Sequence, residues 1–156
     1  MADEIDMTSA MSVYNTICTT LDNMGLTYKK HEEKLVITLG HQGEDMVHDI
    51  LIIVNAKQQA ITMLEHLPFR IDDEKVVDMC IAICCINKGL ISGGFTYGLG
   101  NEVDYEITQF CNDVEISEGF VERMIMTLVM TVEEYDDKLM ALNKGYIKAT
   151  DFLDEE

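Results

Sequence analysis

The densest group of side chains able to ligate metal or act as nucleophiles is Cys80, Cys84 and Cys85. On a helix the first two share a face, while the third is rotated away. Structural zinc sites use a pair of cysteines roughly two to four residues apart, set on turns and completed by a second pair. Cys80 and Cys84 meet that spacing, but no second pair follows and the flanking residues are apolar. A desolvated thiol holds its proton and is a poor nucleophile. The expectation is packing in the core. His41 and His48 flank the stretch from Gln42 to Val47, with Glu44, Asp45 and Asp49 close by. Two imidazoles and a carboxylate could ligate a metal if that loop folded back. No His-Glu-x-x-His pattern occurs, so these are expected to be surface-loop histidines. His31 and His66 fall on expected strands without a suitable neighbour in sequence.

The remaining candidates fail on context. Ser92-Gly93-Gly94 lacks the Gly-x-Ser-x-Gly elbow of a nucleophilic serine and reads as a turn before a strand. Gly98-Leu99-Gly100 lies in a hairpin instead of between a strand and a helix, so it does not cradle phosphate. Asn101, Glu102, Asp104 and Glu106 lack the glycine and distal glutamate of a calcium-binding EF-hand loop. Glu133, Glu134, Asp136 and Asp137 straddle an apolar stripe and are expected to form a solvated face. No catalytic residue, metal-ligand set or cofactor is expected, and the chain does not read as an enzyme.

The elements that position these residues can be read from periodicity. A helix is expected from about Thr8 to Met24, with Val13, Tyr14, Ile17, Cys18, Leu21 and Met24 on one face, Thr8 or Ser9 as the cap and Gly25 as the stop. Strands follow over Leu26–Glu32, Leu35–Gly40, Asp49–Asn55 and Ala60–Leu67, with His41–Val47 as a polar loop. Pro68, the only proline, ends the last of them. Short links make successive strands antiparallel. Asp72 and Asp73 introduce a helix through Lys88 that is apolar nearly all round and is expected to be enclosed. Phe95–Leu99 and Val103–Phe110 form a hairpin. A long helix from Ser117 to about Leu142 carries the stripe Val121, Ile125, Leu128, Val132, Tyr135 and Leu139.

At 156 residues, with no linker or repeat, a single domain over 1–145 is expected, followed by an acidic tail over 146–156. Net charge is −18, with only two arginines, Arg70 and Arg123. Phosphate backbones demand clustered cations, so nucleic acid and anionic membrane are poor partners. An acidic N-terminus, no long apolar run, and an odd number of cysteines lead to the expectation of a cytoplasmic protein with reduced thiols.

Leu64-Glu65-His66-Leu67-Pro68-Phe69, then Asp72-Asp73-Glu74-Lys75 and a helix ending Ile86-Asn87, resembles the YbjN-domain family of bacteria. The resemblance continues through Gly94-Phe95, the strand Val103–Thr108 and the long helix with Thr131 and Tyr135, over roughly residues 8–142. It implies an α+β fold like that of type III secretion chaperones: a curved antiparallel sheet packed against helices, ordered helix–strands–helix–hairpin–helix, and commonly dimeric. Members are described as sensory transduction regulators, and secretion chaperones bind an effector segment along the sheet. The polar stretch around Tyr28–Glu32 and the tail beyond Gly145 have no clear chaperone counterpart.

Eleven methionines are many for this length, and methionine suits irregular or variable contacts. Any one of Met124, Met126, Met130 and Met140 on the last helix is expected to fill core, while together they mark a candidate interaction surface. The functional expectation is a non-catalytic protein-interaction or regulatory module, homodimeric or bound to a protein partner. The alternatives are a small metal-dependent enzyme using His41 and His48, or a small-molecule sensor with a pocket between sheet and helices.

Overall fold

A computed structural model describes residues 6–153. The acidic residues before Asp6 and the last three of the tail lie outside them. Helix α1 (Met7–Asn23) is capped by the Asp6 carboxylate, which accepts from the Ser9 N–H at 2.8 Å. Thr8 and Ser9, the expected caps, are thus already within the helix. Gly25, at φ +71°, lets the Leu26 N–H turn back to the Leu21 carbonyl at 3.0 Å. The strands are β1 (Tyr28–His31), β2 (Val36–Gln42), β3 (Val47–Asn55) and β4 (Ala60–His66). Helix α2 (Val76–Gly89), the hairpin β5 (Gly94–Gly98) and β6 (Glu102–Phe110), and helix α3 (Glu118–Asn143) complete the order expected from the sequence.

The strands form one six-stranded sheet, ordered β1-β2-β3-β4-β6-β5 and antiparallel throughout. All three helices lie on one face: α3 crosses β4 and β6, while α1 and α2 pack beside it. Period-two alternation sends Ile37 and Leu39, Ile50, Ile52 and Val54, Ile61 and Met63, and Val103, Tyr105 and Ile107 inward, all buried. They meet Tyr14, Ile17 and Leu21 of α1 and Val121, Ile125, Leu128, Val132 and Leu139 of α3 in one core. Val36, Leu51, Ile53 and Leu64 point to the other face and are only half-buried. Register places Val36 opposite Ile53 and Leu51 opposite Leu64, so they form one apolar patch at mid-sheet.

Two asparagines join the layers. The Asn87 side chain on α2 donates to the Phe95 carbonyl at 2.9 Å and accepts from the Phe95 N–H at 2.7 Å, holding the β5 edge. Asn143 at the end of α3 accepts from the Asp72 N–H at 2.9 Å and donates to the Arg70 carbonyl at 3.1 Å. Beyond it, a 3₁₀ turn (Ala149–Phe152) packs on α2, with Phe152 buried and the Lys138 ammonium 4.6 Å from its ring centre.

Three expectations need correction. The loop at 41–47 shrinks to residues 43–46, because β2 continues through Gln42 and β3 begins at Val47, which puts His41 directly opposite His48. Helix α2 is not enclosed: α3, β5 and the C-terminal turn cover it only in part, and Val77 and Ile81 stay exposed. Of the cysteines only Cys18 is buried, and Cys84 is exposed. No helix among the described residues is long and apolar enough to cross a membrane.

Candidate functional site

The same alternation that builds the core also places His48 and Glu65 in it, where Asp136 of α3 joins them. On β2 the inward positions run Ile37, Leu39, His41; on β3, His48, Ile50, Ile52, Val54; on β4, Ile61, Met63, Glu65. His48 and Glu65 are fully buried, and Asp136 of α3 is nearly so. Glu65 stands opposite Ile50, and so lies diagonally across the β3–β4 pair from His48. The His48 ring reaches Glu65 through Nδ1, 3.4 Å from Oε1, and Asp136 through Nε2, 3.3 Å from Oδ2. At the rim, His41 Nε2 lies 3.6 Å from Glu133 Oε1, and the two imidazole rings are 6.1 Å apart. Gly43 closes the roof of the cluster. A Cβ there would meet His48 Nε2 at 3.2 Å and the Met46 carbonyl oxygen at 3.2 Å. Its N–H closes the hairpin on that carbonyl at 2.9 Å.

These separations exceed the ~2.7–2.9 Å of a charge-assisted hydrogen bond. His48 Nδ1 and Nε2, His41 Nδ1 and both Glu65 oxygens have no hydrogen-bond partner. Such orphaned buried groups cost about 1–3 kcal/mol each and are rare in folded proteins. Burial, followed by the negative charges of Glu133 and Asp136, pushes the Glu65 carboxyl up to about 8. Burial also raises Asp136, against the opposing hydrogen bond from the Asp137 N–H. Burial lowers His41 more than the Glu133 charge raises it. The cluster is an acid–imidazole–acid chain, because the two nitrogens of His48 diverge toward different carboxylates. Among the described residues no three His, Cys, Asp or Glu side chains are arranged to hold one metal ion.

The structure thus brings His41 and His48 together, but not with the carboxylates nearest in sequence. Glu44 and Asp45 are exposed in the turn, and Asp49 points to the opposite face. Neither histidine sits in a surface loop, and Asp136 does not belong to a solvated face. A second histidine found its partner only through strand pairing. On the open face Asp49, His66 and Asp104 stand in one row across β3, β4 and β6, and His66 Nδ1–H donates to Asp104 Oδ1 at 2.6 Å. Of the four methionines, Met124 is buried in the core and Met140 half-buried. Met126 is 43% exposed and Met130 61%. Being four residues apart, these two share a face of α3.

No protein-family model and no curated protein matches the chain. Among solved structures, that of YbjN from E. coli, described as "a putative transcription regulator", matches with a TM-score of 0.58 and 12% sequence identity. The match covers 80% of this chain and 92% of that one. The α+β fold, an antiparallel sheet carrying its helices on one face, is therefore YbjN-like.

Proposed function

We propose that the protein is a non-catalytic protein-interaction or regulatory module of the YbjN and secretion-chaperone type, working as a homodimer or against one protein partner. The observation that carries this is apolar surface left open on the protomer. Met126 and Met130 form an exposed pair on α3, and the patch of Val36, Leu51, Ile53 and Leu64 has no helix across it among the described residues. Contiguous apolar surface of this kind is characteristic of contact sites, and methionine adapts to the partner. The regulatory description of the solved YbjN structure agrees with this reading. With a net charge of −18, regulation would run through protein contacts, since phosphate backbones need cations to bind.

A substrate cannot reach His48 and Glu65, which are fully enclosed. The metal-dependent alternative, built on His41 and His48, would need their nitrogens to converge. Metal analysis of the purified protein tests it directly. For the interaction reading, light scattering should give a dimer or larger for the native chain and a smaller mass for the double variant Met126→Asp, Met130→Asp. If the native chain stays monomeric at high concentration and the double variant still captures the same cytoplasmic proteins, the reading is wrong.

A further inference from the structure

The Glu65–His48–Asp136 chain, with the His41–Glu133 pair at its rim, joins the sheet to α3 through titratable groups instead of apolar fit. We propose that it is a proton-operated latch: loss of one proton from the chain loosens α3 from the sheet and so regulates the surface that α3 presents. The inference rests on the interaction reading, because Met126 and Met130 ride on the same helix.

Glu65 on β4 faces one ring nitrogen of His48 on β3, and Asp136 on α3 faces the other. At 3.4 and 3.3 Å neither contact is a formed hydrogen bond, and both can close into one only when two protons are shared among the three groups. Either the Glu65 acid donates to Nδ1 while Nε2–H donates to Asp136, or an imidazolium donates from both nitrogens. With one proton fewer, an oxygen lone pair must face a nitrogen lone pair across 3.3 or 3.4 Å in an enclosed site. One of the two links is then lost.

Among the described residues no Lys or Arg offsets the charges on Glu65 and Asp136. The titratable groups facing His48 are His41 from β2, Glu65 from β4, and Glu133 and Asp136 from α3, with Asp137 beside Asp136. No Lys or Arg takes part in these ion pairs, and the backbone of Gly43 covers Nε2. Deprotonation would leave Glu65 as a buried anion opposite two carboxylates of α3. The displaced proton leaves through the partly open rim of His41, Glu133 and Asp136. The end of α3 stays pinned by Asn143, so loosening starts in the turns around Val132 to Leu139 and extends toward Met130 and Met126, away from the pinned end. Burial keeps the proton on Glu65 up to about 8, which places release on the alkaline side of neutrality.

Hydrogen–deuterium exchange on the full chain, compared at about pH 6 and about pH 9 after correction for intrinsic rates, tests the latch. Amides of residues 132–139 should lose protection by about tenfold or more at the higher pH, while those of β3 and β4 keep theirs. Glu65→Gln, which cannot lose that hydrogen, should stay protected at both values. Equal protection of the native helix at both pH values, or the same loss in Glu65→Gln, overturns the proposal. Should that variant not fold, infrared spectra of the native chain decide. A protonated carboxyl band that vanishes as protection falls supports the latch, and no such band overturns it. Light scattering on the same samples separates the two readings. A pH-dependent helix in a protein with no self-association or partner removes the interaction reading, and pH-independent association with flat protection removes only the latch.

Discussion

Replacing Glu65 by glutamine should stabilise this protein at neutral pH, although glutamate is the native residue. Glutamine has the shape of protonated glutamate and cannot ionise. In the unfolded chain the Glu65 carboxyl titrates at its ordinary value of 4.5, whereas in the folded chain burial and the charges of Glu133 and Asp136 hold its proton up to about 8. Between those values the folded state binds a proton that the unfolded state has released. Stability from this group is therefore fully present below 4.5 and declines as pH rises toward 8. The slope is about 1.4 kcal/mol per pH unit. The group therefore costs roughly 3 kcal/mol at pH 7 and roughly 5 kcal/mol at pH 8, relative to acid conditions. Glu65→Gln removes this pH-dependent term. Urea unfolding at about pH 5, 7 and 8 should show the variant gaining on the native protein by nearly the whole of these amounts. Asp136 is raised too and adds a slope of the same sign in both proteins, so the difference reports the Glu65 carboxyl together with its coupling to Asp136. If the stability difference is the same at all three pH values, the carboxyl is not held protonated in the fold, and the reasoning fails.

Other substitutions probe what holds the site in place. Gly93, at φ +68°, has no room for a side chain: a Cβ would lie 2.6 Å from the Glu106 carbonyl oxygen and 2.8 Å from the Tyr105 hydroxyl. Gly93→Ala should cost roughly 3 kcal/mol or more in denaturant unfolding, and an unchanged midpoint would mean the turn is not built this way. Asn143→Ala leaves the Asp72 N–H and the Arg70 carbonyl without their partner. A loss of about 2–3 kcal/mol is expected, with faster exchange of the Asp72 amide. Phe152→Ala should cost roughly 2–3 kcal/mol if the C-terminal turn is docked on α2 as described. Thermal unfolding identical to that of the native chain would show that it is not.

Much of the candidate site was legible in the sequence through its periods. In Ile61, Met63, Glu65, Leu67 the glutamate occupies an inward position, and in His48, Ile50, Ile52, Val54 the histidine does. On α3, Asp136 lies four residues beyond Val132 and three before Leu139, on the apolar stripe that a sequence reading assigns to Tyr135. A polar residue at an apolar position of a periodic pattern was the available signal. Reading His41–Val47 as a loop hid it, because a loop has no inward positions. Proximity in sequence then suggested Glu44, Asp45 and Asp49 as partners, when the actual partners stand on β4 and α3.

The sequence by itself determined the elements and their order, because a period of two or of 3.6 and the glycines, proline and caps between elements are local properties of the chain. The same alternation also determined which side of each strand faces the helices. Which ionisable groups meet was decided only by the tertiary structure. It depends on the register that sets β4 beside β3 and on the angle at which α3 crosses the sheet, and both come from packing side chains distant in sequence. For the same reason only the assembled fold shows that Met124 fills the core while Met126 and Met130 are left outside it. A helix surface wider than the sheet contact beneath it must leave some of its apolar residues uncovered.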